Sequence, residues 1–213
     1  KMKDTYETKN AENALETYEW DDVWFDQAED SSLPRALILG DSISRGCRHV
    51  LVKKTIEFLH ADNYASSKAL DNAAFKPMLE TVFSQEKNLK VVSFNNGLHG
   101  WHLQDAAYKA EYEKMVCLLE NLCAKSGAKL VITLTTPLRN SENLSEFDAR
   151  NERVITRNEI AKEICEKHGL VLNNFYTPML DKEDLYMPDG VHFKEQGYDI
   201  LSSQMKNVIQ SLL

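Results

Sequence analysis

The sequence predicts an α/β domain of three layers, in which a doubly wound parallel sheet of about five strands carries helices on both faces. Two observations lead there. Short apolar runs at Ala36–Leu39, Lys90–Phe94, Lys129–Leu134 and Leu170–Leu172 alternate with longer stretches of helical spacing. That alternation is the mark of parallel strands joined by helical crossovers. The first run, Ala36-Leu37-Ile38-Leu39, is apolar without interruption between Pro34-Arg35 and Gly40, as expected of a strand covered on both faces.

In chain order, residues 1 to about 15 are polar and charged and read as a frayed arm. Tyr18, Trp20, Val23, Trp24 and Phe25 then stand among the acids Glu19, Asp21, Asp22 and Asp26. Side chains of that size are rarely left in water, so this segment is expected to clasp the main domain or line the rim of its site. The resulting division is an arm with an aromatic clasp over residues 1–32 and the main domain over 33–213.

After the first strand, Arg45 to about Phe58 reads as a helix, and Ala61–Ala65 as a weak strand leading into the polar Ser66-Ser67-Lys68. Residues 73–86 read as a helix with Pro77 in its first turn. Strand Lys90–Phe94 runs into Asn95-Asn96-Gly97-Leu98-His99-Gly100-Trp101-His102, a loop dense in hydrogen-bond donors. From Gln104 to Lys125, Tyr108, Tyr112, Met115, Val116 and Leu119 recur at helical spacing until Ser126-Gly127. Strand Lys129–Leu134 closes at Thr135-Thr136-Pro137, and the polar loop that follows through Asn151 is expected to cover or border the site. Arg153–Lys167 is a further amphipathic helix stopped at His168-Gly169, Leu170–Leu172 is the last strand, and Glu195–Leu213 is the closing helix.

With 213 residues and 43% of them hydrophobic, the chain is long enough for one domain with a sizeable core. A net charge of -8 and the absence of any Lys/Arg-rich run argue against a nucleic-acid or anionic-membrane partner and favour a neutral or weakly charged substrate. Cys47, Cys117, Cys123 and Cys165 lack CxxC spacing and read as buried or free thiols. No stretch has the length of a transmembrane span, and no signal-peptide pattern opens the chain. Because numbering starts at Lys1, removal of an export leader is entertained, and the expectation leans to an exported or periplasmic protein over a cytoplasmic one.

The chemistry-bearing residues fall after strands. Ser42 follows the first strand in Gly40-Asp41-Ser42, at the carboxyl edge where ligands bind in open parallel sheets. Asp41 and Ser42 are equally good helix caps, so alone this stretch supports a nucleophile and a plain cap about evenly. Asp189 and His192 lie three apart in a loop before the last helix, a spacing that lets one turn bring the carboxylate to imidazole Nδ1 while Nε2 faces a serine. A lone D-x-x-H is also an ordinary turn. In a doubly wound sheet, however, the ends of these strands converge on one edge, and acyl transfer by a serine needs such a base, its orienter and oxyanion donors.

These residues resemble the SGNH or GDSL-like serine hydrolases. Gly40-Asp41-Ser42-Ile43 is similar to the first block of that family, and Asp189-Gly190-Val191-His192-Phe193 to its last. The order of the strands extends the resemblance over residues 33–213, and the aromatic segment, the Asn95–His102 loop and Thr135-Thr136-Pro137 further resemble a bacterial subgroup. The resemblance implies the SGNH hydrolase fold with flavodoxin-like topology, Ser42 as nucleophile, and Asp189 and His192 completing a triad. It also implies an oxyanion hole from the Ser42 amide, a second-block amide and a third-block side chain. The third block here reads Gly97-Leu98-His99-Gly100, so His99 stands where the family has asparagine, and its donor role depends on tautomer and pH. No glycine occurs between Gly46 and Gly97, so Ser66, Ser67 or neighbouring amides must serve for the second block.

The expected oxyanion group is therefore Ser42, Ser67, Gly97 and His99, with Asn96, Trp101 and Arg139 as candidate substrate contacts. Asn96 is also a second candidate donor, and Trp101 and Arg139 equally suit rim packing and a solvated loop. His99, His102 and Asp105 lack further ligands at zinc-like spacing, so no metal and no organic cofactor are expected. The favoured activity is hydrolysis of an O-acyl ester, above all an O-acetyl ester, of a carbohydrate or similar small polar molecule. The competing reading is a catalytically weak or inactive glycan-binding protein on the same fold. Nothing in the sequence fixes the oligomeric state.

Overall fold

A computed structural model describes residues 15–213; the arm expected over the first residues lies largely outside them. The main sheet has six strands: β1 (Asp21–Trp24), β2 (Arg35–Gly40), β3 (His60–Ser66), β4 (Leu89–Phe94), β5 (Lys129–Thr133) and β8 (Val171–Asn173). Their spatial order is β1-β3-β2-β4-β5-β8, parallel except for β1, which runs antiparallel along the outer edge of β3. The chain thus winds from β2 outward to β3, then crosses back to β4 and onward, and its switch point lies between β2 and β4.

Strand β2 is buried on both faces because each face meets a separate core. Leu37 and Leu39 join Phe75, Leu79, Val116, Leu119 and Ile164 on one side, from helices α2 (Phe75–Gln85), α3 (Asp105–Ser126) and α4 (Asn151–Lys167). Ala36 and Ile38 join Cys47, Leu51, Leu201 and Met205 on the other, from α1 (Ser42–Thr55) and α5 (Glu195–Gln210). This is the expected three-layer arrangement, with one strand more than the sequence suggested. All four cysteines are free thiols, Cys117 exposed and the other three buried.

The additional strand comes from the aromatic segment. Its backbone pairs Asp21 with Ser66 and Trp24 with Asn63, so part of the clasp is a sheet edge. Contrary to the expectation of burial, Tyr18, ahead of β1, and Trp24, at its end, are more than half exposed. Trp24 instead lies beneath the Arg48 guanidinium, 5.1 Å away.

Strand β3 is stronger than its sequence suggests: every residue from His60 to Ser66 is buried, polar ones included. The N-terminal segment supplies the missing partners. Asn63 donates to the carbonyl and the carboxylate of Asp22, Tyr64 to Asp21 Oδ1, and His60 contacts Asp30 at 3.0 Å. At the opposite strand end from the expected site, Arg35 donates to both Asp62 oxygens and to the carbonyls of Asp26, Gln27 and Asp30.

Beside that pair, both Glu86 carboxyl oxygens are buried without a hydrogen-bond partner among the described residues. Burial, reinforced by the neighbouring Asp62 charge, pushes Glu86 well above the usual carboxylate range. The folded chain then holds a proton that the unfolded chain releases near pH 4.3, so stability falls as pH rises above that value. Glu86→Gln removes this loss. Its melting temperature should exceed that of the wild type by about 2–4 °C at pH 8, the equivalent of ~1 kcal/mol at this chain length, and by less at pH 5.

The 138–151 segment is not the plain loop expected. Strands β6 (Arg139–Asn140) and β7 (Asn143–Phe147) form a hairpin. No helix among the described residues is long and apolar enough to cross a membrane.

Candidate active site

Gly40 ends β2, and Asp41 is the N-cap of α1, its Oδ1 accepting from the Ile43 amide at 2.9 Å. Capping is therefore done by Asp41. Ser42 occupies the first helical position, where the amide has no intrahelical acceptor and the hydroxyl is free for another partner. That partner is His192, whose Nε2 lies 2.7 Å from Ser42 Oγ.

His192 is set by its own turn. Asp189 Oδ1 accepts the amides of Val191 and His192, both at 2.9 Å, while Oδ2 meets His192 Nδ1 at 2.8 Å. Burial would raise Asp189, but the imidazole and the two amides outweigh it and bring the carboxyl down to about 2. The turn needs Gly190, whose φ is +72° and where a side chain would strike the Arg139 carbonyl. Buried Phe193 anchors its far end against Tyr186, with ring centroids 4.5 Å apart. Ser42, His192 and Asp189, from opposite ends of the chain, thus form one hydrogen-bonded line.

The loop after β4 lies beside β2 at the switch point, Asn95 donating its amide to the Leu39 carbonyl. A guanidinium shapes this loop: Arg157, buried in α4, donates to the carbonyls of Gly97, His99 and Gly100 at 2.7–2.9 Å. Burial pulls Arg157 down to about 10, still charged at neutral pH. Gly97 lets the loop lie against Thr135, whose Oγ1 would sit 1.9 Å from any Cβ placed there. His99 Nδ1 is 2.9 Å from Glu16 Oε1, and the same oxygen accepts the Gly100 amide at 3.4 Å. Burial opposes the charged ring of His99, but the Glu16 hydrogen bond and charge, with Asp41 and Glu19, outweigh it and raise its pKa.

Other candidates are placed differently. The Ser67 amide donates to the Trp20 carbonyl at 3.2 Å and its hydroxyl to Glu19, so in this structure Ser67 extends the β1 contact and its amide is not free for an oxyanion. The Lys68 amide is likewise taken, by Ser66 Oγ. Asn96 is buried and its amide group donates to the Lys68 carbonyl, stapling two loops. Trp101 is stacked among Arg150, Arg153 and Arg157, the last 4.6 Å from its ring.

Arg139 departs from the expected exposed contact. It is 5% exposed, donates to the carbonyls of Ser145 and Leu180, and lies 4.1 Å from the Phe147 ring, because the hairpin folds over it. Its amide donates to the Gly190 carbonyl at 2.8 Å, so it braces the Asp189–His192 turn from behind. His99 and His102 do not converge, since His102 pairs with Asp71. Among the described residues the one cluster with metal-ligand chemistry is Cys117, Glu120 and His168, on α3 and the end of α4, where His168 Nδ1 already meets Glu120 at 2.7 Å. Sequence reasoning missed Glu16 and Arg157, which carry no local motif.

No protein-family model and no curated protein matches the sequence. Solved structures do match in fold. A member of the lipolytic G-D-S-L family from Veillonella parvula superposes with a TM-score of 0.66 at 17% identity, over 83% of this chain and 98% of that one. A GDSL-like lipase from Bacteroides thetaiotaomicron gives 0.60 at 18% identity, over 84% and 89%. An acetylxylan esterase from Geobacillus stearothermophilus gives 0.62 at 14% identity, over 83% and 94%. With a 2-1-3-4-5 parallel core and helices on both faces, this chain has the fold of the SGNH/GDSL hydrolases.

Proposed function

We propose that the protein is a carboxylic ester hydrolase that removes an O-acyl group, above all O-acetyl, from a carbohydrate or similar small polar substrate. The observation that carries this reading is His192 bridging Ser42 Oγ and Asp189 Oδ2 at 2.7 and 2.8 Å. Support for the substrate class comes from the fold's likeness to an acetylxylan esterase.

In this mechanism Ser42 Oγ attacks the acyl carbon while its proton passes to His192 Nε2. Asp189 holds Nδ1–H and stabilises the imidazolium. The Ser42 amide, at the start of α1, faces the developing oxyanion together with donors of the 96–99 loop. Collapse of the tetrahedral intermediate expels the alcohol, which takes the proton from His192 and leaves Ser42 acylated. Water then attacks the ester of Ser42 with His192 as base, releasing the carboxylic acid and restoring the serine. Every group this sequence requires is an amino-acid side chain or amide.

The spent Ser67 and Lys68 amides favour one competing reading, a catalytically weak or inactive glycan-binding protein on the same fold. A serine-directed fluorophosphonate separates the two. The proposed enzyme gains the mass of one phosphonyl group at Ser42 and releases acetate from an acetylated oligosaccharide; the binding protein does neither and hydrolyses nitrophenyl acetate no faster than its Ser42→Ala variant.

A further inference from the structure

Glu16 is the buried acid that the mechanism above leaves without a task. Its side chain is 3% exposed, Oε1 meets His99 Nδ1 and the Gly100 amide, and Oε2 has no hydrogen-bond partner among the described residues. The segment is pinned in place nearby: the Glu16 amide donates to Glu19 Oε1, Glu19 Oε2 accepts from Ser67, and the Trp20 amide donates to Ser67 Oγ. Trp20 also ties His99 to the mouth of the site. Its ring meets the imidazole edge-on at 6.3 Å, and Arg45, one helical turn beyond Ser42, lies 5.4 Å over it.

We propose that Glu16 is a positioning residue for the oxyanion pocket: its carboxylate fixes the His99 ring through Nδ1 and so presents Nε2–H as a donor to the acyl oxygen. This rests on the hydrolase reading above. A neutral imidazole whose Nδ1–H is given to Glu16 has only a lone pair at Nε2 and would repel an oxyanion. Both nitrogens donate only in the imidazolium, and a buried carboxylate with one bare oxygen is the counterion that form needs. The charged groups around the ring are Glu16 and Glu19 from the N-terminal segment, Asp41 at the end of β2, Arg157 of α4 on the His99 carbonyl, and Arg45 of α1 across Trp20. Three acids outnumber the cations that oppose them.

The arrangement also accounts for a departure from the expected oxyanion hole. The amides after β3 that would form its second block are bonded to Trp20 and Ser66. A charge-assisted donor is roughly twice as strong as a neutral one, so an imidazolium at position 99 offsets an amide lost at 67. The same N-terminal segment that takes the Ser67 amide brings Glu16 to His99.

The test uses the full chain with wild type, Glu16→Gln, His99→Asn and the double variant. Nitrogen NMR of the imidazoles, assigned by difference against His99→Asn, should find both His99 nitrogens protonated at pH 7.5 in wild type, and only Nδ1 in Glu16→Gln. In nitrophenyl acetate hydrolysis Glu16→Gln should lose about 10²-fold in kcat at pH 8.5, the size of one oxyanion donor, and recover part of it as pH falls. An asparagine donor does not titrate. His99→Asn should therefore lack this pH dependence, and adding Glu16→Gln to it should change nothing further.

A neutral His99 in wild type, or a pH-independent loss from Glu16→Gln that persists on the His99→Asn background, overturns the proposal and reduces Glu16 to a tether. The kinetic outcome presupposes turnover that needs Ser42. Absence of such turnover in wild type overturns the hydrolase reading, and this inference with it.

Discussion

Ser42→Ala should lower kcat for an activated acetate ester by about four to six orders of magnitude, while the folded chain stays nearly as stable as wild type. The size follows from what the hydroxyl does. Ser42 is the one hydroxyl in the Ser42–His192–Asp189 line that can carry the acyl group as an ester, and water held by His192 would attack without the advantage of a fixed neighbour. The small stability change follows from where the hydroxyl sits. Ser42 is half-buried at the first position of α1, where Asp41 does the capping and alanine is a good helix former. Loss of one hydrogen bond of about 1 kcal/mol shifts the melting temperature by no more than about 4 °C in a chain of this length. Steady-state kinetics beside thermal melts test both halves. A variant that retains even a tenth of the wild-type rate would remove Ser42 from the mechanism.

Asp189→Asn is the second large effect, a fall in kcat of about 10⁴-fold with little change in KM. The carboxylate accepts three hydrogen bonds, two from amides that shape the turn and one from His192 Nδ1. Asparagine can keep its oxygen on the amides, but its NH₂ then faces Nδ1. That stabilises the tautomer with Nδ1 bare and Nε2 protonated, which cannot take a proton from Ser42. Because Asp189 is held down to about 2, its charge is present throughout the range of an ester assay, so a large loss should be seen from pH 5 to 9. The sign for stability is equally definite. A depressed carboxyl stabilises the fold above its unfolded value near pH 3.9, and that contribution fades as pH falls towards 2. Acid melts of wild type should show a decline between pH 4 and 2 that is reduced in Asp189→Asn.

The strands at the centre of this molecule were readable because both their faces are dry. Ala36–Leu39 and Leu130–Ile132 face a core on each side, so the sequence there is apolar without interruption. Their ends carry Ser42 and the Thr135 turn, which is why the first half of the site was legible too. The Asp189–His192 turn was readable for another reason, since its three hydrogen bonds all lie within four residues.

What escaped the sequence depends on partners far away along the chain. Strand β3 looked weak because Asp62, Asn63 and Ser66 are polar, yet Arg35, Asp22 and Trp20 satisfy them across 20 to 50 positions. Strand β1 begins with two aspartates and has no pattern of its own; its pairing is fixed by β3. Arg139 looked like a loop arginine free to meet substrate, but carbonyls from Ser145 and Leu180 enclose it. Ser67 stands just after a strand, where a second-block amide is expected, and only the course of residues 16–20 reveals that its amide is spoken for. Glu16 itself sits in a stretch whose composition says nothing, because its partner is 83 residues away.

That edge ribbon bears on how the chain can be divided. Splitting it ahead of Pro34, where composition places the frontier, would not trim a tail. It would deprive Arg35 of the three carbonyl oxygens of residues 26, 27 and 30 and strip the outer neighbour from residues 63–66. A bared row of amides and carbonyls is a template on which a second molecule can stack. The smallest fragment that keeps β3 paired on both sides therefore begins upstream of Asp21.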